Sequence, residues 1–193
     1  SLSARRWWFA FCFAISIFFD AKNLTSFKVS GSIERAYFPK NIEELTEVLK
    51  TTENPIVLGN CSNVLLSSSG IKGDVIFTQK CSAIEINGRK VYAECGLKGP
   101  MASNEVLKHS LSGFEFMIGF PGSIGGEVYM NASAKEQAIS DCLTSAQVFD
   151  LDSKKAITLS KNEWEFGYRS SICQRKNYIV LSAEFELEEK PQE

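Results

Sequence analysis

The stretch 113–134, GFEFMIGFPGSIGGEVYMNASA, carries the densest group of glycines in the chain. Glycines 119, 122, 125 and 126 and Pro121 fall within eight residues, and an apolar, helix-compatible run, 127–132, follows them. Glycine is needed where the backbone takes a positive φ or approaches another group closely. A glycine-rich turn that opens onto a helix presents unpaired N–H groups, which can bind a phosphate. The stretch therefore predicts either a phosphate site, to which Ser123 adds a hydroxyl, or simply a tight turn beneath a helix.

This stretch differs from the two common phosphate-binding motifs. Its spacing is G-x-x-G-x-x-G-G, whereas those motifs are G-x-x-x-x-G-K-[ST] and G-x-G-x-x-G. No lysine stands where a nucleotide β-phosphate would need one. The glycine pattern alone leaves the identity of the ligand open.

A second candidate loop, 59–63, directly follows a short apolar strand predicted at 56–58. A strand is predicted at 33–38, and Asn41 with Glu44 forms a capping box that begins a helix. Strand, helix and strand within about thirty residues indicate a βαβ unit. In such sheets ligands bind at the carboxyl ends of strands, where short polar side chains and glycine can form a nest of N–H groups. An ordinary turn rich in Asn, Gly and Ser is the alternative interpretation.

The remaining pattern mixes short strands with few helices. Asn87-Gly88 is a strong signal for a β-hairpin. An amphipathic helix is predicted at 101–109, and a short helical turn at 161–166. Further strands are predicted at 27–29, 75–78, 83–86, 90–94, 146–150, 156–159 and 178–187.

Composition limits the function classes. The chain has 193 residues, 44% of them hydrophobic, and a net charge of −2. This charge gives no electrostatic case for nucleic-acid binding. The six cysteines are dispersed without a C-x-x-C pair, and His109 is the only histidine, so we expect no zinc site. Dispersed cysteines fit reduced thiols and a cytoplasmic protein.

Residues 1–19 form an apolar N-terminal extension of unclear status. Arg5 and Arg6 precede WWFAFCFAISIFF, a run too short to span a bilayer comfortably. The run resembles the start of a signal peptide, but no small-residue cleavage site follows it. A buried segment, non-native sequence and a membrane anchor stay open. We expect no membrane association unless this segment is an anchor.

Five segments in order resemble one enzyme family. They are NLTSFKVSG (23–31), LGNCSNVLLS (58–67), GFPGSIGGEVYMNASA (119–134), FGYRSS (166–171) and IVLSAEFEL (179–187). Together they are similar to the UDP-N-acetylenolpyruvoylglucosamine reductases, also called UDP-N-acetylmuramate dehydrogenases, of peptidoglycan synthesis. The similarity runs from about residue 20 to residue 188.

The resemblance implies an α+β fold with two subdomains that bind FAD, of the vanillyl-alcohol-oxidase type. We expect subdomain 1 at 20–80 and subdomain 2 at 81–193. It also implies non-covalent FAD, NADPH as co-substrate and a UDP-sugar as substrate. Hydride would pass from NADPH through the flavin to the enolpyruvyl double bond. A non-catalytic FAD-binding module and another FAD-linked oxidase remain alternatives.

The resemblance also assigns site residues. Arg169 would be catalytic, because a guanidinium stabilises negative charge that develops on the substrate carboxylate, and Tyr168 and Arg169 would bind substrate. Without the resemblance, Arg169 would be read as a surface arginine after a tight turn. Val64 and Leu65 would pack beneath the first loop. The FAD-binding residues would be Leu58, Gly59, Asn60, Cys61, Ser62, Asn63, Val64, Leu65, Gly119, Pro121, Gly122, Ser123, Gly125, Gly126 and Asn131.

The sequence departs from the family pattern at several positions. Cys61, Ser30 and Ser133 stand where the family usually has glycine, and we expect the Cys61 side chain to crowd the pyrophosphate. Family members continue into a substrate-binding domain that carries a proton-donating serine and a glutamate. Neither role can be assigned here, so we expect FAD binding with little or no turnover by this chain alone.

Overall fold

The computed structural model describes residues 14–20, 32–67 and 69–190, with only the backbone described at 14–19. The predicted strand 27–29, the segment 23–31 and Ser30 lie outside these residues. The first part of the chain forms a four-stranded sheet of order β1-β2-β4-β3, with one helix. Its elements are β1 (Ala14–Asp20), β2 (Ser32–Tyr37), α1 (Ile42–Thr51), β3 (Ile56–Leu58) and β4 (Ile71–Phe77).

The predicted βαβ unit is present, with another strand inside it. Helix α1 connects β2 to β3, and both strands run parallel to β4, which lies between them. Strands that run parallel end at the same edge of a sheet. The loop after β3 and the segment after β4 therefore emerge side by side.

Helix α1 begins as its sequence predicts. The Asn41 side chain accepts a hydrogen bond from the Glu44 amide at 2.8 Å. The Glu44 carboxylate reaches back to the Lys40 amide at 2.8 Å, one residue before the N-cap. The helix buries one face, formed by Ile42, Leu45, Val48 and Leu49.

The rest of the chain is built around an antiparallel five-stranded sheet of order β11-β10-β12-β6-β5. The predicted hairpin joins β5 to β6, and Gly88 in its turn has a φ of 58°. The strands are β5 (Ile84–Asn87), β6 (Lys90–Glu94), β7 (Leu111–Ser112), β8 (Ser133–Ala134), β9 (Gln137–Ala138), β10 (Leu143–Asp150), β11 (Lys155–Ser160), β12 (Tyr178–Glu186) and β13 (Glu188–Glu189). The helices are α2 (Gly99–Lys108), α3 (Ile124–Tyr129) and α4 (Ile139–Cys142), with 3-10 helices at Glu115–Gly119, Lys161–Trp164 and Ile172–Gln174.

Strand β12 joins the two main clusters of buried side chains. Its Leu181 packs with Phe149 and with the buried face of α1. Its Phe185 belongs to the larger cluster and meets Phe114 edge to face, with ring centroids 4.9 Å apart. Aromatic contacts of this kind add to the stabilisation from burial. Strand β12 and helix α1 thus hold the first sheet against the second.

Two of the differences from the sequence prediction concern the glycine-rich stretch and the N-terminal run. Helix α3 begins at Ile124 rather than Glu127, so Gly125 and Gly126 lie inside its first turn. The second half of the apolar N-terminal run forms β1, which pairs antiparallel with β2. Among the helices at 14–20, 32–67 and 69–190, none is long and apolar enough to cross a membrane.

Candidate functional site

A cavity of about 340 Å³ opens where the two candidate loops meet. Gly59 comes from the loop after β3, and Thr78 follows the neighbouring strand β4. Ser123, Gly125 and Gly126 come from the glycine-rich stretch. The other lining residues are Val57, Cys95, Tyr129, Tyr178, Ile179 and Val180.

The two loops touch each other at this cavity. The Asn60 side chain donates a hydrogen bond to the Pro121 carbonyl at 2.5 Å. A Cβ atom added to Gly59 would overlap the Ser123 hydroxyl. Glycine at position 59 therefore permits the close approach of the opposite loop, and a side chain there would have to displace the Ser123 hydroxyl.

The loop after β3, residues 59–63, has the features of an anion-binding turn. Within the described part of the chain, none of these five N–H groups has a protein acceptor. Cys61 lies in the left-handed region, with a φ of 52°. A left-handed residue within a turn directs neighbouring N–H groups towards a common point, which is an anion-binding arrangement.

The glycine-rich loop offers fewer amides than its sequence suggests. The Ile124 and Gly125 amides donate to the carbonyls of Leu97 and Cys95, both at 2.8 Å. The amides of Gly122, Ser123 and Gly126 find no protein acceptor among residues 32–67 and 69–190. Helix α3 has only six residues, so individual amides matter more here than a helix dipole.

Gly125 and Gly126 have different local roles. A Cβ atom at Gly125 would lie 2.9 Å from the Cys95 Cβ and 3.1 Å from its carbonyl oxygen. Gly125 therefore permits α3 to pack closely against the end of β6. At Gly126 the nearest atom would be the Ser123 hydroxyl, at 3.8 Å, so this position is open towards the cavity.

The Cys61 side chain, predicted to crowd the pyrophosphate, lies in a buried cluster and is not among the residues that line the cavity. The side chain is 4% exposed and packs with Ile33, Val75 and Phe77 beneath the first sheet. Burial raises the pKa of the Cys61 thiol to about 11, so the thiol stays protonated. The left-handed φ explains why glycine suits this position.

The packing expected of Leu65 beneath the first loop is not observed. Leu65 is 71% exposed, whereas its neighbour Leu66 is buried in the same cluster as Cys61. Val64 is partly buried against that cluster, and so is Leu58 at the end of β3. The loop turns after Asn63, and as a result Leu66 rather than Leu65 is buried.

The Asn131 side chain has a structural role, because both of its polar atoms bond to the backbone. Its side-chain amide donates to the Gly167 carbonyl at 3.0 Å, and its side-chain oxygen accepts from the Ser140 amide at 3.2 Å. The Asn131 side chain does not line the cavity but fixes the turn that carries Arg169. Gly119 and Pro121 are exposed and Ser62 and Asn63 lie in the first loop, all outside the lining set.

Arg169 and Tyr168 lie on a separate, well-anchored turn. The Gly167 amide donates to the Ser170 carbonyl at 3.0 Å, and Arg169 has a φ of 52°. The Arg169 guanidinium donates to the Ser133 carbonyl at 3.2 Å, and Tyr168 is 90% exposed. The Ser171 hydroxyl donates to the Tyr129 carbonyl at 2.7 Å, which ties this turn to a helix that lines the cavity.

Glu127 is a buried carboxyl that the sequence reasoning missed. It is 4% exposed, and neither carboxyl oxygen has a hydrogen-bond partner among the described residues. Burial raises its pKa to about 7. A Cβ atom at Gly122 would lie 3.1 Å from its Oε1, which places the carboxyl beneath the loop. The sequence signal for this buried carboxyl is an acidic residue at the start of the apolar run 127–132.

Several residues that line the cavity could not be predicted from the sequence. Tyr178, Ile179 and Val180 begin strand β12, and Cys95 follows β6. No local motif marks them, because only the packing of the second sheet against the first brings them to the cavity. In the described part of the chain, no group of three or more His, Cys, Asp or Glu residues could hold a metal ion.

Comparison with known proteins is consistent with this geometry. Residues 33–159 match the FAD binding domain family. The UDP-N-acetylenolpyruvoylglucosamine reductase of Lactococcus lactis subsp. cremoris (strain MG1363) is 43% identical over 170 residues, which cover 86% of this chain and 56% of that protein. The chain thus spans little more than half the length of this relative. The resemblance inferred from the motifs is confirmed.

Solved structures show the same fold. The UDP-N-acetylenolpyruvylglucosamine reductase from Thermus caldophilus aligns with a TM-score of 0.79 at 28% identity, over 93% of this chain and 64% of that one. A glucooligosaccharide oxidase from Acremonium strictum aligns with a TM-score of 0.66 at 16% identity, over 95% of this chain and 42% of that one. The α+β fold is therefore the two-part FAD-binding fold of the vanillyl-alcohol-oxidase type. From the matched family and this shared fold, the chain belongs to the FAD binding domain family.

Proposed function

We propose that this chain is the FAD-binding portion of a UDP-N-acetylenolpyruvoylglucosamine reductase. In this function NADPH is the co-substrate, and the enolpyruvyl ether of a UDP-sugar is reduced to UDP-N-acetylmuramate in the cytoplasm. The curated relative named above, which carries this enzyme name, supports the proposal. The two sheets, built from residues 14–77 and 84–186, would then be the two FAD-binding subdomains, joined through the segment 78–83.

The observation that carries the proposal is a set of amides at one cavity, those of Gly59, Ser123 and Gly126, that have no acceptor among the described residues. The loops 59–63 and 122–126 contact each other, and both contribute residues to the lining of the cavity. None of the lining residues is Lys, Arg, Asp or Glu. A diphosphate placed here would be held by backbone donors, which suit an anion without a lysine. The residues present therefore fit FAD, which supplies hydride-transfer chemistry when bound.

Arg169 would act on the substrate in this proposal. Its backbone is fixed by the turn 167–170, and its guanidinium is oriented by the Ser133 carbonyl. A guanidinium held in this way stabilises negative charge on a carboxylate by paired N–H donors. Its exposure leaves it free to meet a ligand that approaches from solvent.

The test combines flavin retention with substrate recognition. The purified chain is mixed with FAD, freed of excess by gel filtration, and titrated with the enolpyruvyl UDP-sugar while the flavin spectrum is recorded. NADPH is then added and product is measured. We expect retained flavin and a substrate-dependent spectral shift in the wild type.

Arg169→Ala is the test variant, and Arg175→Ala is its matched control. Arg175 is an exposed arginine that pairs with Glu165. We expect Arg169→Ala to abolish the substrate-induced shift and to lower any turnover by about 10²–10³-fold, with flavin retention unchanged. Arg175→Ala should behave as the wild type. A colourless wild-type chain would overturn the proposal, and flavin uptake without any response to the UDP-sugar would favour a non-catalytic flavin-binding module.

A further inference from the structure

The Glu127 carboxyl lies between the glycine-rich loop and the first turn of helix α2. A Cβ atom at Gly99, the first residue of α2, would overlap the Glu127 Oε1 atom, and one at Gly122 would lie 3.1 Å from it. Glu127 is 4% exposed, and neither carboxyl oxygen has a hydrogen-bond partner among the described residues. A buried carboxylate without a partner is costly, so this site favours the protonated acid.

The same carboxyl borders a hydrogen bond that holds the glycine-rich loop. The Gly99 amide donates to the Gly122 carbonyl at 3.2 Å. Lys98 and Ser123 form a backbone bridge beside this bond, and Ser123 lines the cavity. An amide bonds more strongly to a carboxylate than to a neutral carbonyl. An ionised Glu127 would therefore compete for the Gly99 amide and loosen the loop at Gly122.

No charged group compensates Glu127 within the described part of the chain. Helix α3 packs against β6, β12, α4 and the 3-10 helix 172–174, and its preceding loop contacts the start of α2. The charged side chains of these elements are exposed or bonded to other groups: Lys90, Glu94, Lys98, Glu105, Lys108, Asp141, Glu184 and Glu186. The other titratable side chains there are Tyr92, Cys95, His109, Tyr129, Cys142, Cys173 and Tyr178. Burial is the only cause of the raised pKa of Glu127, which is about 7.

We propose that Glu127 is a positioning residue for FAD: FAD binds tightly while the Glu127 carboxyl is protonated and more weakly once it is ionised. The inference rests on the proposed function, because it takes FAD to be the ligand of the cavity. Two effects act in the same direction. A negative charge beneath the loop repels a diphosphate bound at the Ser123 and Gly126 amides. The carboxylate also draws the Gly99 amide away from Gly122.

The sign of the pH dependence follows from this arrangement. FAD affinity is highest where Glu127 is protonated in the free chain, below about pH 7, and it falls as the pH rises through this value. The affinity becomes constant again at higher pH, once Glu127 is also ionised in the complex. Coupling is reciprocal, so FAD binding raises the pKa of Glu127, and the chain takes up protons when FAD binds near neutral pH. The diphosphate of FAD stays ionised over this range, so the change belongs to the protein.

The first test titrates the full chain with FAD at a series of pH values between about pH 6 and about pH 8.5. A coupling of about one pKa unit predicts that the wild-type affinity falls about five- to tenfold over this range. In Glu127→Gln, whose amide has the shape of the protonated acid, the affinity should stay constant at the wild-type value of low pH. Glu53→Gln, which removes an exposed carboxylate, is the matched control and should follow the wild type.

The second test measures proton uptake on the wild type itself. Calorimetry of FAD binding at about pH 7.5, in two buffers that differ in ionisation enthalpy, gives the number of protons taken up. We expect about half a proton for each FAD bound by the wild type, and none for Glu127→Gln. Circular dichroism shows whether the variant is folded. The wild-type measurement decides the matter even if Glu127→Gln does not fold.

The inference fails if the FAD affinity is constant over this pH range, if it changes equally in the wild type and Glu127→Gln, or if binding takes up no proton. In each of these cases a saturable FAD complex still supports the proposed function. A folded wild-type chain that binds no FAD at any of these pH values overturns both the inference and the proposed function.

Discussion

Glu127 links the stability of the fold to pH. Its carboxyl is buried beneath the glycine-rich loop, and burial raises its pKa from 4.5 to about 7. The folded state therefore binds more protons than the unfolded state between these two values. The free energy of unfolding falls as the pH rises from about 4.5 to about 7, and this contribution is constant at higher pH.

The Glu127→Gln variant tests this linkage. It removes the titration, so its stability relative to the wild type should rise by about 3 kcal/mol between pH 4.5 and pH 8. Urea unfolding at a series of pH values measures the difference. Glu53→Gln, at an exposed position, is the control and should run parallel to the wild type. A Glu127→Gln profile that also runs parallel to the wild type would show that the carboxyl is not buried as described.

Cys61 holds a backbone conformation that disfavours side chains. Its φ of 52° lies in the left-handed region, where a Cβ atom is strained, and its thiol fills a space beneath β4. A β-branched side chain is a still stronger outlier at positive φ. The position therefore limits the choice of residue through the backbone rather than through the cavity.

We predict that Cys61→Val destabilises the chain by about 1–3 kcal/mol. Cys173→Val is the comparison, since Cys173 is equally buried but lies in a 3-10 helix with ordinary dihedral angles. Thermal and urea unfolding measure both variants. Equal losses of stability in the two variants would show that added volume, and not backbone strain at position 61, sets the cost.

Helix α3 depends on a close approach to the second sheet. Gly125 lies against Cys95, and its amide donates to the Cys95 carbonyl at 2.8 Å, so the helix begins three residues before the apolar run suggests. The start of this helix could not be predicted from the sequence, because its first amides are paired with a segment about 30 residues away, 95–97. Local signals were sufficient for α1 and for the hairpin after β5, where the decisive contacts lie within a few residues.

Two neighbouring glycines in α3 should therefore respond in opposite ways. Gly125→Ala places a Cβ atom 2.9 Å from the Cys95 Cβ, and we expect it to lower stability by about 1–3 kcal/mol. Gly126→Ala meets no atom closer than 3.8 Å, and alanine is the better helix former by up to about 1 kcal/mol. Urea unfolding of the two variants measures the difference. A stability for Gly125→Ala equal to that of Gly126→Ala would contradict the described packing.

The whole molecule brings together parts that are distant in sequence. Gly59 stands at the end of a parallel strand, and Ser123, Gly125 and Gly126 follow some 60 residues later, yet all of them line one cavity. The motifs of the two loops could be recognised from sequence, because each is a short run of glycine and polar residues. The contribution of Tyr178 to Val180 could not, since it depends on how the two sheets pack.

The central claim is that backbone amides from these two loops hold FAD from opposite sides. Gly126 is suited to a test of binding because its Cβ position is open in the fold but faces the cavity. An added methyl group there should obstruct a ligand without disturbing the protein. Circular dichroism and urea unfolding establish that the variant is folded.

The most direct measurement is an equilibrium titration of the chain with FAD, followed by flavin and tryptophan fluorescence. We predict a saturable one-to-one complex for the wild type and, for Gly126→Ala, an affinity at least about tenfold weaker, or about 1.4 kcal/mol of binding free energy. A folded wild-type chain that shows no saturable FAD complex, or a Gly126→Ala variant that binds FAD as tightly as the wild type, would contradict this account.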